Sequence, residues 1–248
     1  MTDKKITNQY KYYDLIMALF VTVLLVSNIA SSAKIVDWGV SLFGLRLAFD
    51  AGTILFPLSY IFGDVLTEVY GYKKSRRVIW TGFFCAGLMS AIFWIVRVMP
   101  GEALWSENIG KEKYDAILGG VSSGGIVIAS LMAYFIGEFS NSYILAKMKI
   151  LTKGRWLWTR TIGSTLVGEG FDTLIFVSVA TALKVPGFDP AIFFTLVTTN
   201  YIFKCGIEAI MTPLTYRIIA FLKHTENEDH YDYRTNFNPF QINLSDKS

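Results

Sequence analysis

Six stretches of this 248-residue sequence, 14–32, 47–70, 78–98, 117–146, 156–183 and 191–220, are each apolar over a length that can cross a lipid bilayer. A helix rises about 1.5 Å per residue and the hydrocarbon core is about 30 Å thick, so about 20 residues suffice. Lipid offers the backbone no hydrogen-bond partners, so a crossing segment is either a helix or part of a closed barrel. Barrel strands alternate apolar and polar residues, which these runs do not. The expectation is therefore an all-α membrane protein, a six-transmembrane-helix bundle over 1–223 with a polar tail at 224–248. The first run is a full span followed by others, which argues against a cleaved signal peptide.

Basic residues set the orientation. Lys4, Lys5 and Lys11 precede the first run, and Lys73, Lys74, Arg76 and Arg77 follow the second. Lys147, Lys149, Lys153 and Arg155 follow the fourth, and Arg217 and Lys223 close the sixth. The intervening loops are poor in basic residues or mixed in sign, so the positive-inside rule puts both termini, and the tail, in the cytoplasm. Trp38, Trp80, Trp105, Trp156 and Trp158 fall near run boundaries, where indole rings favour the headgroup layer. The chain is 52% hydrophobic and 17% charged, and its net charge of +3 is too small to point to nucleic acid. Cys85 and Cys205 lie in apolar runs without metal-ligand spacing, and His224 and His230 lie in the tail. Neither a metal nor a cofactor is expected, and no histidine is available for chemistry inside the membrane.

The runs are interrupted by polar groups whose placement carries the functional reading. Asp64, Glu138, Glu169, Asp172, Asn28, Lys204 and Glu208 come from five runs and all fall towards the middle of the hydrocarbon core. A charge at that depth costs about 2.5–3.5 kcal/mol, so five carboxylates facing lipid would cost more than about 10 kcal/mol. They are expected to face one another, Lys204 or an aqueous cavity, with some of them holding protons. Asp64 with Glu68, Glu138 with Asn141, Glu169 with Asp172, and Lys204 with Glu208 are spaced three or four apart, so each pair shares a helix face. Gly63, Gly137, Gly168 and Gly170 flank the acids and permit close helix approach, and Pro57 and Pro213 loosen the backbone nearby. Plainer readings stand beside these. Lys204 with Glu208 or Asp172 is equally a structural ion pair, Glu68 an interfacial residue, and Arg160 a boundary side chain reaching for headgroups. Tyr60, Tyr134 and Tyr201 read first as packing residues. A weak parallel repeat links 59–64, 133–138 and 201–204.

In order along the chain, Ser27-Asn28 with Lys34, Phe56-Pro57, Gly63-Asp64, Glu68-Val69-Tyr70-Gly71, Gly168-Glu169-Gly170-Phe171-Asp172-Thr173 and Lys204 resemble the queuosine precursor transporter family, a branch of the vitamin uptake transporter group. The resemblance covers nearly everything before Lys223. It implies a multi-pass protein of the bacterial inner membrane, not an enzyme, that imports 7-deazaguanine bases such as 7-cyano-7-deazaguanine, 7-aminomethyl-7-deazaguanine or queuine. A carboxylate can accept adjacent N–H donors of such a base in bidentate fashion. On that reading Asp64, Glu138, Glu169 and Asp172 bind the base, Asn28 adds an amide contact, and Lys204 balances charge. Phe56, Tyr60, Tyr134 and Phe171 are candidates to stack on the ring, with Glu68, Asn141 and Glu208 as secondary polar candidates. The expected partners are the base, membrane lipid and a second copy of the chain in a homodimer. Two rivals remain open: a substrate-binding subunit of a multi-component importer, for which no P-loop is present in this chain, and an intramembrane aspartyl enzyme using Asp64 and Asp172.

Overall fold

The computed structural model describes residues 10–42, 45–122, 124–184 and 188–241. In chain order the elements are α1 (Tyr13–Ala33), β1 (Ile35–Leu42), β2 (Leu45–Asp50), a 3-10 turn (Ala51–Leu55), α2 (Phe56–Tyr70) and α3 (Tyr72–Val98). Then come α4 (Ala103–Asn108), α5 (Gly110–Ser122), α6 (Gly124–Leu151), α7 (Leu157–Ala182), a 3-10 turn (Pro190–Ile192) and α8 (Phe193–Glu226). Among the described residues, five stretches are long and apolar enough to cross a membrane: Tyr13–Ala33, Tyr72–Val98, Gly110–Leu151, Leu157–Ala182 and Phe193–Glu226.

The second expected span, 47–70, takes a different form. Its first third is strand and 3-10 turn, and the helix proper is only 15 residues, or about 22 Å. Leu45 to Asp50 alternates apolar and polar side chains, the period of a strand, and pairs antiparallel with β1 from Ile35↔Asp50 to Leu42↔Leu45. Pro57 then sits in the first turn of α2, where its missing N–H costs nothing and its fixed φ starts a helix. This short helix is interior: every residue from Gly63 to Tyr70 is buried.

The start of α1 and the end of α8 meet. Glu226, the last residue of α8, accepts hydrogen bonds from the amides of Lys11 and Tyr12 at 2.8 and 2.7 Å and from the Tyr70 hydroxyl at 2.9 Å. The start of α1 and the ends of α2 and α8 therefore share one end of the bundle, the end that carries the basic loops. The β-hairpin lies at the other, where Ser27 Oγ donates to the Gly52 carbonyl and Ser32 Oγ to that of Ile117.

Packing is uneven along this axis. At the basic end, Tyr13, Ile16, Val65, Leu66, Val69, Tyr70, Tyr72, Val78, Ile79, Ile219 and Leu222 form one apolar cluster. On α8 none of the residues 193–207 is buried, whereas Glu208, Thr212, Thr215, Ile219 and Leu222 are. On α3 the buried residues stop at Ala86, and Leu88, Ile92, Trp94 and Val98 stand exposed. Towards the hairpin end Ser27 of α1 stays buried against Gly52, and α6 and α7 keep a buried contact at Ala129 and Ala180. Their crossing is close because it is built on glycine. A Cβ on Gly168 would lie 2.6 Å from Asn141 Cβ and 3.0 Å from the Gly137 carbonyl, and one on Gly137 would lie 2.8 Å from Asp172 Cβ.

Candidate functional site

That glycine crossing brings Asn141 of α6 against α7 and sets Glu138, one turn away, beside Asp172. Lys204 of α8 completes the group, with its Nζ in hydrogen-bond contact with Asp172 Oδ2 and 2.8 Å from Glu169 Oε2. The ion pair expected between Lys204 and Asp172 is thus present, with Glu169 as a second partner. The side chains are not sealed: Lys204 is 11%, Glu169 15% and Asp172 24% exposed. From the opposite side α2 presents Gly63, whose Cβ position is 3.6 Å from Glu138 Oε2 and 3.8 Å from Asn141 Nδ2. Asp64 follows directly, buried against Glu208 of α8 within hydrogen-bond reach of its carboxyl.

What these groups lack is donors. Among the described residues no donor reaches either oxygen of Asp64 or of Glu208, Oε2 of Glu138, or Oδ1 of Asn141, all of them buried atoms. A buried polar atom without a partner costs about 1–3 kcal/mol, so several acceptors in one place make a site that favours a donor-rich guest. The backbone supplies little, since helix carbonyls and amides here bond within their own helices.

Other candidates stand elsewhere. Asn28 donates from Nδ2 to the Leu24 carbonyl and accepts from Ser130 Oγ at 3.1 Å, which puts it about 12 Å along α6 from Glu138. Tyr134 is buried and its hydroxyl donates to the Ile79 carbonyl of α3, so it serves the α3–α6 contact. Phe171 is 46% exposed, on a different face of α7 from Glu169 and Asp172. Tyr201, on α8, donates to the Leu166 carbonyl and ties α8 to α7. The side chains of Phe56 and Tyr60 lie outside the described residues.

Glu68 belongs to a second charged group at the basic end. Arg160 donates to it in bidentate fashion, Nε to Oε2 at 2.8 Å and Nη2 to Oε1 at 2.7 Å. Lys223 Nζ donates to Oε1 at 2.6 Å, and Lys149 Nζ donates to the Glu68 carbonyl at 2.6 Å. Glu68 is wholly buried, as are Arg160 and Lys149. Asp229, just beyond α8, lies 2.6 Å from Lys149 Nζ and 2.8 Å from Lys223 Nζ. Its partial burial pushes its carboxyl up, but the hydrogen bonds from the two lysines more than reverse this and hold it below the usual carboxylate range. Sequence alone did not reveal this hub. The one available signal was a basic residue facing inward near the ends of α6, α7 and α8.

Membrane-length helices gathered on a polar, acceptor-rich centre define a multi-pass membrane transporter. The chain's relatives agree. Residues 50–218 match the family described as "Putative vitamin uptake transporter", and the chain belongs to that family. It is 28% identical over 192 residues to the "Probable queuosine precursor transporter" of Bacillus subtilis (strain 168), covering 75% of this chain and 78% of that one. It is 23% identical over 191 residues to the "Queuosine precursor transporter" of Escherichia coli (strain K12), covering 77% and 80%. The corresponding "Probable queuosine precursor transporter" of Haemophilus influenzae is 23% identical over 68% of this chain and 67% of its own. The family's description and the relatives' names all denote transporters. No solved structure gives a significant match.

Proposed function

We propose that the protein imports queuosine precursors, 7-deazaguanine bases, through the centre of its bundle, and that it sits in the bacterial inner membrane with both termini in the cytoplasm. The orientation rests on the basic loops at the end where α1 begins and α8 ends. The substrate class rests on the names of three relatives and on one observation, the surplus of buried acceptors around Lys204. A deazaguanine presents a ring N–H and an amino group side by side, a pattern that one carboxylate accepts in bidentate fashion. Glu169, Asp172 and Glu138 are the acceptors for that edge, with Asn141 able to both donate and accept. Lys204 keeps the pair of α7 carboxylates compatible with the membrane, and an aminomethyl group on the base would add a second cation to an anionic site.

Asp64 and Glu208 supply the energetic coupling in this reading. Two carboxyls pressed together without another donor repel when both are ionised and hold a proton between them. A proton taken up there on one side of the membrane and released on the other would drive accumulation of the base.

Purified protein should bind 7-cyano-7-deazaguanine or 7-aminomethyl-7-deazaguanine at least about tenfold more tightly than adenine, which lacks the paired donors (about 1.4 kcal/mol). Asp172→Asn and Lys204→Met should each weaken binding about tenfold or more. Wild-type affinity in both variants would remove the centre as the site. In liposomes containing this chain alone, a pH gradient should accumulate the base. Asp64→Asn or Glu208→Gln should abolish that accumulation while leaving equilibrium binding in place. Uptake without other chains would also exclude the subunit of a multi-component importer.

A further inference from the structure

The hub and the described part of the tail lie between the centre and the basic end of the bundle. Glu68 is one turn beyond Asp64 on α2, and its side chain and carbonyl gather Lys149 of α6, Arg160 of α7 and Lys223 of α8. One residue thus ties the four helices that surround the centre. Between hub and centre, the hydroxyls of Thr67, Ser75 and Ser142 bond to one another at 2.9–3.1 Å, all buried, and Val65 and Leu66 fill the remaining space. Among the described residues the hairpin end carries no buried charged cluster of this kind: Arg97 and Asp115 pair there but are partly exposed, and α3 and α8 lose their buried contacts.

The described part of the tail, 228–241, then crosses the same end as a strap. Asp229 holds both hub lysines, and the His230 amide donates to the Val69 carbonyl at 3.2 Å. Asp232 accepts from the Tyr72 amide at 3.1 Å. Arg76, buried on α3, donates to the carbonyls of Asn236 and Asn238, and Trp80 Nε1 donates to that of Pro239. Each of the two connections that the strap crosses has a glycine at the contact. Gly71 (φ +84°) would place a Cβ 2.2 Å from the His230 ring, and Gly154 (φ +74°) would place one 2.1 Å from the Tyr231 hydroxyl.

We propose that the Glu68 hub is the gate of the transport path at the basic end, and that the C-terminal strap is its latch. Release of a substrate from the centre towards this end requires α2, α6, α7 and α8 to part, and they cannot part while Asp229 and the strap bridge them. On this reading the structure has the gate at the basic end shut. Gating rests on the transporter assignment, not on the identity of the base.

The test needs no substrate. In a chain with Cys85→Ala and Cys205→Ala, a single cysteine is placed at Ser142, between hub and centre, and its rate of modification by N-ethylmaleimide is measured in proteoliposomes. A second single-cysteine chain, Ser130→Cys, reports the hairpin side. With the full chain, Ser142→Cys should react slowly. Ending the chain after Asn227 should speed its modification about tenfold, and Asp229→Asn a few-fold, with Ser130→Cys unchanged. Equal rates at Ser142→Cys with and without the strap would overturn the proposal. So would an equal acceleration at both positions, which would mean that the strap merely stabilises the whole bundle. If the shortened chain fails to fold, the Asp229→Asn comparison decides alone.

Discussion

Lys204 at the centre and Arg160 at the basic end each face a carboxylate from a neighbouring helix, yet their surroundings differ in two respects. Around Arg160, three cations meet two carboxylates, every oxygen of Glu68 is taken, and Glu68, Arg160 and Lys149 are buried, with Lys223 and Asp229 at the rim. Around Lys204, one cation meets two carboxylates with three more acids close by, several acceptors have no donor, and the side chains remain partly exposed. The first arrangement satisfies itself and so holds structure together. The second leaves acceptors over, which is what the proposed binding role needs. On that reading the difference separates a binding centre from a closure more clearly than residue type does, since both use acids and amines inside a membrane.

If that contrast is right, the two groups should fail differently. Glu68→Gln leaves the buried Arg160 without its carboxylate and leaves Lys149 and Lys223 only Asp229. Breaking a buried pair from one side costs about 3–5 kcal/mol, the largest loss expected in the molecule. It should appear as a lower unfolding midpoint in detergent, and Asp172→Asn should be far milder because its site reaches solvent. Equal losses would erase the distinction. Gly168→Ala should come next, at about 1–3 kcal/mol, because its Cβ meets Asn141 and the Gly137 backbone, not a flexible side-chain tip. It should part α6 from α7, move Glu138 away from Asp172 and abolish base binding while the hub stays intact. A variant that binds normally would show that the glycine crossing does not position the centre.

How far the sequence disclosed this contrast depended on the range of each interaction. The runs of apolar residues and the acids within them are local signals, and they located Asp64, Glu138, Glu169, Asp172, Lys204 and Glu208 on the helices that bring them together. The hub is long-range: Arg160 and Lys223 lie 92 and 155 residues from Glu68, so Glu68 read as a candidate at the centre or as an interfacial residue. The hairpin was missed because apolar content outweighed the two-residue alternation of Leu45 to Asp50. The strap left no signal at all. Its polar, aperiodic sequence describes a free tail as well as a docked one, because it contributes backbone carbonyls that any residue could offer to Arg76 and Trp80.

A milder substitution sharpens the role of the strap. Tyr72→Phe removes the hydroxyl that donates to the Phe237 carbonyl at 3.0 Å but keeps the ring contact. A single hydrogen bond is worth about 1 kcal/mol. The loss should be confined to the strap and appear as easier proteolysis after Tyr233 or Arg234 in the intact membrane protein, with the unfolding midpoint little changed.

The smallest effect concerns pH. Asp229 sits below its ordinary value of 3.8 because Lys149 and Lys223 hydrogen-bond to its charged form. For a carboxyl shifted this way, the stabilisation is complete above the unfolded value and disappears as pH falls through the folded one. Strap docking should therefore be flat from about pH 8 to about pH 5 and weaken only below about pH 4. The Asp229 side chain is 45% exposed, so solvent screening keeps its contribution under about 1 kcal/mol. Exchange of the His230 amide, which bonds to the Val69 carbonyl, reports docking directly. After correction for intrinsic exchange, its protection should hold to about pH 5 and vanish earlier only in Asp229→Asn. Protection lost already between pH 7 and 5 in the unmodified chain would move control of the strap to a group other than Asp229. The basic end would then respond to pH where the present contrast makes it inert, and proton sensitivity would no longer belong to the centre alone.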